Sequence, residues 1–355
     1  MSLIERLFRR IDKLSLQLYL LIYFFFGRIR RPNLYTDEGG ILIFADLLMG
    51  DLAMAGYLIQ SIRHHYPTKK ITLLCKENLF ELASLFNLDL VIPVTYLSWK
   101  LYMLLSKQKY ALVFNIFSGK WLPLCDGLTI GKICGTHLCK FEKPMNMVDM
   151  ILSIRPSSIS IKTSKLSLPT SNKKNYIVIH IGARVKTRLW PIGLLKDIIK
   201  FVDMKIILTG LEQEQTYMDE LNSEKIENML GKTTYIELLS LINNSTGLIS
   251  MDTGVIHWAR LMKIPSLSVL GPSDMNLFGA KSNQFENAYH MLNRVKCQDV
   301  HKHMGIPVSW VNHCNRRTCI FREQKCTKFS IPEVENTIKE FMKNLKTKTK
   351  IEYSD

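Results

Sequence analysis

From Gly40 onward the chain alternates short apolar runs with longer stretches whose apolar residues recur every three or four positions. Ile41–Ala45 is a short apolar run that predicts a strand. Leu52–His65 has helical spacing and stops at Tyr66-Pro67. The same reading predicts strands over Lys70–Cys75, Leu90–Val94 and Tyr110–Phe117, with helices over Glu77–Phe86 and Leu97–Ser106. Ser153–Lys174 breaks the pattern; rich in Ser, Thr, Lys and Pro, it reads as a linker. The alternation then restarts, with strands predicted over Tyr176–Ile181, Lys205–Leu208, Leu248–Met251 and Ser266–Leu270. Helices are predicted over Pro191–Val202, Glu212–Leu221, Ile236–Asn243 and Val255–Met262. Two such series mean an α/β protein with mostly parallel sheets, whose ligand sites lie beyond the carboxyl ends of the strands. The expected organisation is an N-terminal segment (1–35), two α/β halves (36–165 and 172–330) and a C-terminal helix with a basic tail (331–355).

The N-terminal segment departs from this rhythm. Arg6, Arg9, Arg10 and Lys13 precede an apolar run of 13 residues, Leu14–Phe26, and Arg28, Arg30 and Arg31 follow it. A bilayer span needs about 20 residues. Basic flanks around a short apolar stretch suit a helix lying on an anionic leaflet, whereas the plainer reading is a helix docked on the protein's own core. Charge points the same way: Lys plus Arg number 47 against 31 Asp plus Glu, a net +16, which suits an anionic partner without choosing between nucleic acid, a phosphorylated ligand and a lipid surface. At 47% apolar and 22% charged residues, the 355-residue chain is ordinary for a globular protein, which excludes wholesale disorder.

Four loops carry candidate chemistry. Gly50-Asp51 follows the first strand, where Asp51 is either a helix cap or a carboxylate placed as a general base. Asp252-Thr253-Gly254, then His257, places backbone N–H groups at a helix start, a ready anion site; Asp252 is alternatively that helix's cap. Arg184, Lys186 and Arg188 follow the strand ending at His180-Ile181-Gly182 and precede Trp190-Pro191; they are a solvated loop or a phosphate site. Glu214, after Thr209-Gly210, is a ribose ligand or an ordinary first-turn acid. No G-x-G-x-x-G, G-x-x-x-x-G-K-[ST] or G-x-S-x-G occurs, which argues against a Rossmann dehydrogenase, a P-loop NTPase and an α/β-hydrolase. Cys297, Cys314, Cys319 and Cys326, with 16, 4 and 6 residues between them, are either a tetrahedral Zn or Fe site or free thiols.

Taken in order, these blocks resemble glycosyltransferase family 9, the ADP-heptose:lipopolysaccharide heptosyltransferases. The matching residues are Gly50-Asp51, Tyr66-Pro67, His180-Ile181-Gly182-Ala183, Arg188-Leu189-Trp190-Pro191, Gly210 with Glu214, Asp252-Thr253-Gly254 with His257, Pro265 and Gly271-Pro272. The resemblance runs from about residue 40 to 340 and implies a GT-B fold, two Rossmann-like domains with a cleft between them. It implies inverting transfer of a heptose from ADP-heptose to a lipopolysaccharide core or related lipid-linked acceptor, with no cofactor required for the chemistry. Asp51 would be the general base, and Arg188, standing where the family often has lysine, would offset charge on the leaving diphosphate. Gly50, Lys186, Glu214, Asp252, Thr253, Gly254 and His257 would bind the donor. Ala45-Asp46 stands where the family usually has a basic residue, and Asn115 where it often has Asp. Some relatives carry a similar cysteine cluster, which in the branch modifying autotransporter proteins resembles an iron-binding finger. The expected setting is the cytoplasm, peripheral on the inner membrane, with no nucleic-acid partner. The competing readings are a protein (autotransporter) heptosyltransferase and a non-catalytic basic protein that binds nucleic acid or anionic lipid.

Overall fold

The structure is a computed structural model that describes residues 7, 10–19, 39–96, 98–116, 128–136, 139–164, 166, 168, 175–183, 185–221, 223–279, 288–303, 306–314, 316–321 and 323–352. It divides into two compact units. The first comprises Met1–Leu48, Ala55–Lys140 and Met150–Ser164; the second comprises Met49–Met54, Phe141–Asp149 and Lys165–Asp355.

The first unit is built on five parallel strands: β1 Gly40–Ala45, β2 Ile71–Lys76, β3 Leu90–Val94, β4 Tyr110–Asn115 and β5 Thr129–Gly135. Their order in the sheet is β3-β2-β1-β4-β5. β1 is central, with Ile43 in register with Leu73 on one side and Phe114 on the other. Ile41 to Ala45 are buried, as an apolar strand covered on both faces must be. The crossover to β2 is the helix Met49–His65, three residues longer at its start than its apolar spacing predicts. From Asp51 to Ile62 every residue of it is buried, and the basic last turn, Arg63 to His65, reaches outward, where the helix dipole favours positive charge. Burying Gln60 and Ser61 requires partners. Gln60 exchanges hydrogen bonds of 3.1 Å with the Ser164 backbone, and Ser61 bonds the backbone of Lys162. The first part of the predicted linker is therefore an ordered strap along this helix; 165, 167 and 169–174 lie outside the described residues.

Residues 10–19 are helical and docked on this unit. Leu16 is fully buried, Asp12 accepts from the Trp99 backbone N–H, Ser15 accepts from Trp99 Nε1, and Tyr19 packs its ring 5.0 Å from that of Trp99. The rest of the predicted apolar run, 20–26, and its arginine flank lie outside the described residues.

The second unit carries six parallel strands: β6 Tyr176–His180, β7 Lys205–Thr209, β8 Ile226–Asn228, β9 Gly247–Met251, β10 Ser266–Val269 and β11 Ala288–Met291. Their order is β11-β10-β9-β6-β7-β8. Both sheets thus reverse direction beside their first strand, the doubly wound pattern of a Rossmann-like unit. Helix Ile192–Phe201 turns Leu194, Leu195, Ile198 and Ile199 into the core. The C-terminal helix Ile331–Glu352 adds Val334, Ile338, Phe341, Met342 and Leu345, a single stripe at helical spacing, so this element completes the second unit's core.

Several elements differ from the sequence reading. The predicted helix over Glu77–Phe86 is a 3₁₀ turn, Glu77–Leu79, followed by a short α-helix, Phe80–Ser84. The predicted helix over Glu212–Leu221 is 3₁₀ throughout Glu212–Glu220. β4 ends at Asn115, and Phe117 lies outside the described residues. β5, β8 and β11 had no clear signature: β5 contains two glycines and a lysine, β8 has three residues, and β11 reads Ala-Tyr-His-Met.

Candidate active site

The direction of the second sheet switches between β6 and β9, so the loops leaving these two strands flank the position where ligands bind in doubly wound sheets. The loop after β9 is Asp252-Thr253, which leads into the helix Gly254–Leu261. Thr253 is its N-cap, yet its hydroxyl makes no capping bond and lies 3.4 Å from Ser250 Oγ. The first-turn N–H groups therefore keep their capacity for an anion. Asp252 is not the cap. Its Oδ1 stands 3.3 Å from His257 Nε2, with both side chains buried. Burial alone would raise the Asp252 carboxyl, but His257, the Arg188 guanidinium and the Ser273 hydroxyl outweigh it and hold it well below the usual carboxylate range. His257 Nδ1 is buried without a hydrogen-bond partner among the described residues.

The loop after β6 supplies the cation. Lys186–Arg188 forms one 3₁₀ turn; Lys186 is exposed, Thr187 buried and Arg188 half-buried. Arg188 Nη1 donates to the Asp252 carbonyl at 2.9 Å, which fixes a guanidinium at the N-terminus of the Gly254–Leu261 helix. Arg184 lies outside the described residues. His180, the last residue of β6, is a scaffold side chain: its Nδ1 meets Thr209 Oγ1 at 3.0 Å, and burial pushes its pKa down to about 4, with a Gly182 backbone bond opposing.

Gly50 brings Asp51 to the same place. A Cβ on Gly50 would stand 2.9 Å from Gly254 Cα and 3.1 Å from His257 Cδ2. A Cβ on Gly254 would stand 3.0 Å from Gly50 N. Trp258 Nε1 donates to the Met49 carbonyl at 3.1 Å. The backbones at two helix N-termini thus touch, and Asp51 follows directly in the first turn, 8% exposed. The helix begins at Met49, so Asp51 is not its cap, contrary to one of the two sequence readings.

Glu214 is almost wholly buried and turned on its own helix start: Oε2 accepts from the Leu211 N–H and Oε1 from the Gln213 amide at 3.2 Å. Burial raises its pKa, with those two bonds opposing.

The four cysteines converge. Cys297, Cys314, Cys319 and Cys326 line one small cavity, together with Thr187 and Arg316. The expected ligand set is nevertheless not assembled: among the described residues no three His, Cys, Asp or Glu side chains are placed to hold a metal ion. Burial, reinforced by the neighbouring thiols, pushes the Cys326 thiol up to about 11 and raises that of Cys297. Arg316 Nη1 donates to Cys314 Sγ at 3.7 Å. Sequence reasoning singled out neither Thr187 nor Gln324, which hold the basic turn; a hydroxyl and an amide carry no motif of their own.

Two Rossmann-like units make a GT-B-like fold, with a cation and a helix N-terminus joined at the second sheet's switch point. Residues 136–306 match glycosyltransferase family 9 (heptosyltransferase). Among solved structures, an E. coli ADP-heptose lipopolysaccharide heptosyltransferase II is 17% identical with a TM-score of 0.60, over 86% of this chain and 99% of that one. E. coli heptosyltransferase WaaC with ADP is 19% identical with a TM-score of 0.58, over 70% of this chain and 92% of that one. The iron-containing dodecameric glycosyltransferase TibC of enterotoxigenic E. coli is 13% identical with a TM-score of 0.51, over 88% and 79%. At such identities the structures speak for the fold. No curated protein matches the sequence.

Proposed function

We propose that the protein transfers a heptose from ADP-heptose, with inversion, to a lipopolysaccharide core or related lipid-linked acceptor. The observation that carries this reading is the Arg188 guanidinium held on the Asp252 carbonyl, at the open N-terminus of the Gly254–Leu261 helix. Such a cradle suits a diphosphate, whose charge grows as the sugar leaves. In this scheme the acceptor hydroxyl attacks the anomeric carbon and its proton passes to the Asp51 carboxylate. The bond from that carbon to the diphosphate oxygen breaks, and the electron pair stays on ADP. Asp252, Thr253, Gly254 and His257 hold the donor's sugar and diphosphate, with Gly50 giving close approach and Lys186 adding charge. Glu214 meets the ribose through the lone pairs its two local bonds leave free.

The enzyme works from the cytoplasm on the inner membrane in this proposal. The docked helix 10–19 supports it. Leu16 faces the core, while Leu7, Ile11, Leu14 and Leu18 are 54–64% exposed. At about 100° per residue these four fall on one arc of roughly 60°, opposite Leu16. Arg10 and Lys13 are exposed beside it. Among the described residues no helix is long and apolar enough to cross a membrane. A second acceptor class, a protein such as an adhesin, is favoured by the gathering of four cysteines at one cavity, since the similar structure TibC is iron-containing.

Thermal stabilisation by ADP, UDP, GDP and CMP tests the donor. A shift with ADP alone supports the proposal, and a shift with UDP or GDP instead removes the heptose donor. For the base, Asp51→Asn is expected to lower the transfer rate by roughly 10²–10⁴ while leaving ADP binding in place. An unchanged rate removes Asp51 from that role.

A further inference from the structure

The basic turn has little to hold it from within. It is three residues long, has no side-chain cap, and closes with two backbone bonds, Arg188 N to Val185 O at 3.0 Å and Leu189 N to Lys186 O at 3.1 Å. Its remaining support comes from far along the chain. Thr187 Oγ1 donates to the Arg316 carbonyl at 2.8 Å, and Gln324 Nε2 donates to the Lys186 carbonyl at 2.9 Å.

Both supporting residues belong to the cysteine-bearing lobe, and that lobe is itself anchored. Arg316 forms a two-pronged pair with Asp299, at 2.9 and 2.8 Å, and also donates to the Cys297 carbonyl at 2.8 Å. Cys314 N–H donates to the Pro272 carbonyl at 2.9 Å, and Gln298 Nε2 to the Gly271 carbonyl at 2.8 Å, both just past β10. Thr187 reaches into the lobe, 5% exposed, on the wall of the cavity that the four cysteines line. One continuous path therefore runs from the end of β10, through Arg316 and Gln324, to the turn, and from the turn through Arg188 to the Asp252 carbonyl.

We infer that the cysteine-bearing lobe is a brace for the donor site, and that Thr187 and Gln324 are positioning residues that set the Arg188 guanidinium over the helix N-terminus. The inference rests on the proposed role of Arg188 and goes beyond it, because it gives the lobe a function that needs no metal. The Thr187 hydroxyl is turned into the lobe, so it acts through the backbone on either side of it. Losing its hydroxyl also strands the Arg316 carbonyl, so the turn loses its register rather than one contact.

The test is a pair of double-mutant cycles read by calorimetric binding of ADP. Thr187→Val and Gln324→Ala are each expected to weaken ADP roughly fivefold, the scale of one lost hydrogen bond, and Thr187→Ser is expected to restore affinity. In an Arg188→Ala background both effects should vanish, because residues acting through one group are not additive. Equal losses with and without Arg188 overturn the inference and leave a merely structural lobe. Gln324, half-buried, decides the matter if Thr187→Val does not fold. If the wild-type protein does not bind ADP, the donor reading fails and takes the brace with it; if it binds ADP and the cycles are additive, the brace alone fails.

Discussion

At the scale of single residues, the second unit contains imidazoles that burial keeps neutral. His180 is pushed down to about 4, and His290, buried with the Arg260 guanidinium beside it and Asp252 opposing, to about 3. An unfolded histidine takes up its proton near pH 6.5, whereas these resist until much lower pH. The unfolded state then holds more protons, so their contribution is complete above about pH 6.5 and is lost as pH falls toward 4. Denaturant unfolding at pH 7.5, 5.5 and 4.5 should show stability falling by on the order of 2–3 kcal/mol per such histidine across that window. His180→Asn should flatten the profile; an unaltered slope would mean that His180 does not titrate as described. The same scale explains what the sequence could and could not convey. Asp252 and His257 stood five apart on one motif and do meet. The competing cap assignments for Asp51 and Asp252 turned on where each helix begins, a boundary that periodicity locates only to within a few residues.

At the scale of elements, the N-terminal helix is docked on the protein's own core, as one of its two sequence readings expects. One side is docked through Leu16, Asp12 and Ser15, and the other presents an apolar stripe. Replacing Ile11, Leu14 and Leu18 together by Gln should reduce flotation with phosphatidylglycerol vesicles at least tenfold, since each buried aliphatic side chain contributes about 1.5–3 kcal/mol. Because those side chains face outward, the melting temperature should stay within a few degrees. Equal flotation would exclude the stripe as the membrane contact. Long apolar strands such as β1, β6 and β9 were legible because being covered on both faces demands an unbroken apolar run. The edge strands β8 and β11 were not, because three or four residues beside a single neighbour need no such run. The nine-residue 3₁₀ segment Glu212–Glu220 has acids in its first turn like any α-helix, and the choice between the two is made by packing.

At the scale of the whole molecule, the excess of positive charge should make itself felt on anionic surfaces. With a net +16, binding to phosphatidylglycerol vesicles should weaken steeply between 50 and 500 mM salt, as screening shortens the reach of the field. The Gln triple variant described above should keep that salt slope while losing affinity, because the stripe and the cations contribute separately. A salt-independent affinity would mean that the charge plays no part. That both sheets are parallel was legible from the alternation of strands and helices, since parallel strands oblige a crossover; their doubly wound order was implied by the family resemblance. The brace was not. Arg316 and Gln324 stand more than 100 residues from the turn they support, and no local pattern records a hydrogen bond to a distant carbonyl.

The contact between Gly50 and Gly254 sets a limit on how such an enzyme diversifies. Gly50 has no room for even a methyl group, with the Gly254 Cα 2.9 Å from where its Cβ would stand, and at Gly254 the Gly50 nitrogen, 3.0 Å away, would have to give. A saturation library selected for transfer should therefore show a single permitted letter at 50 and few at 254, while exposed Lys186 nearby accepts many. A lineage exploring new sugars has to leave this contact of two bare backbones as it found it, and write its changes into the loops around it.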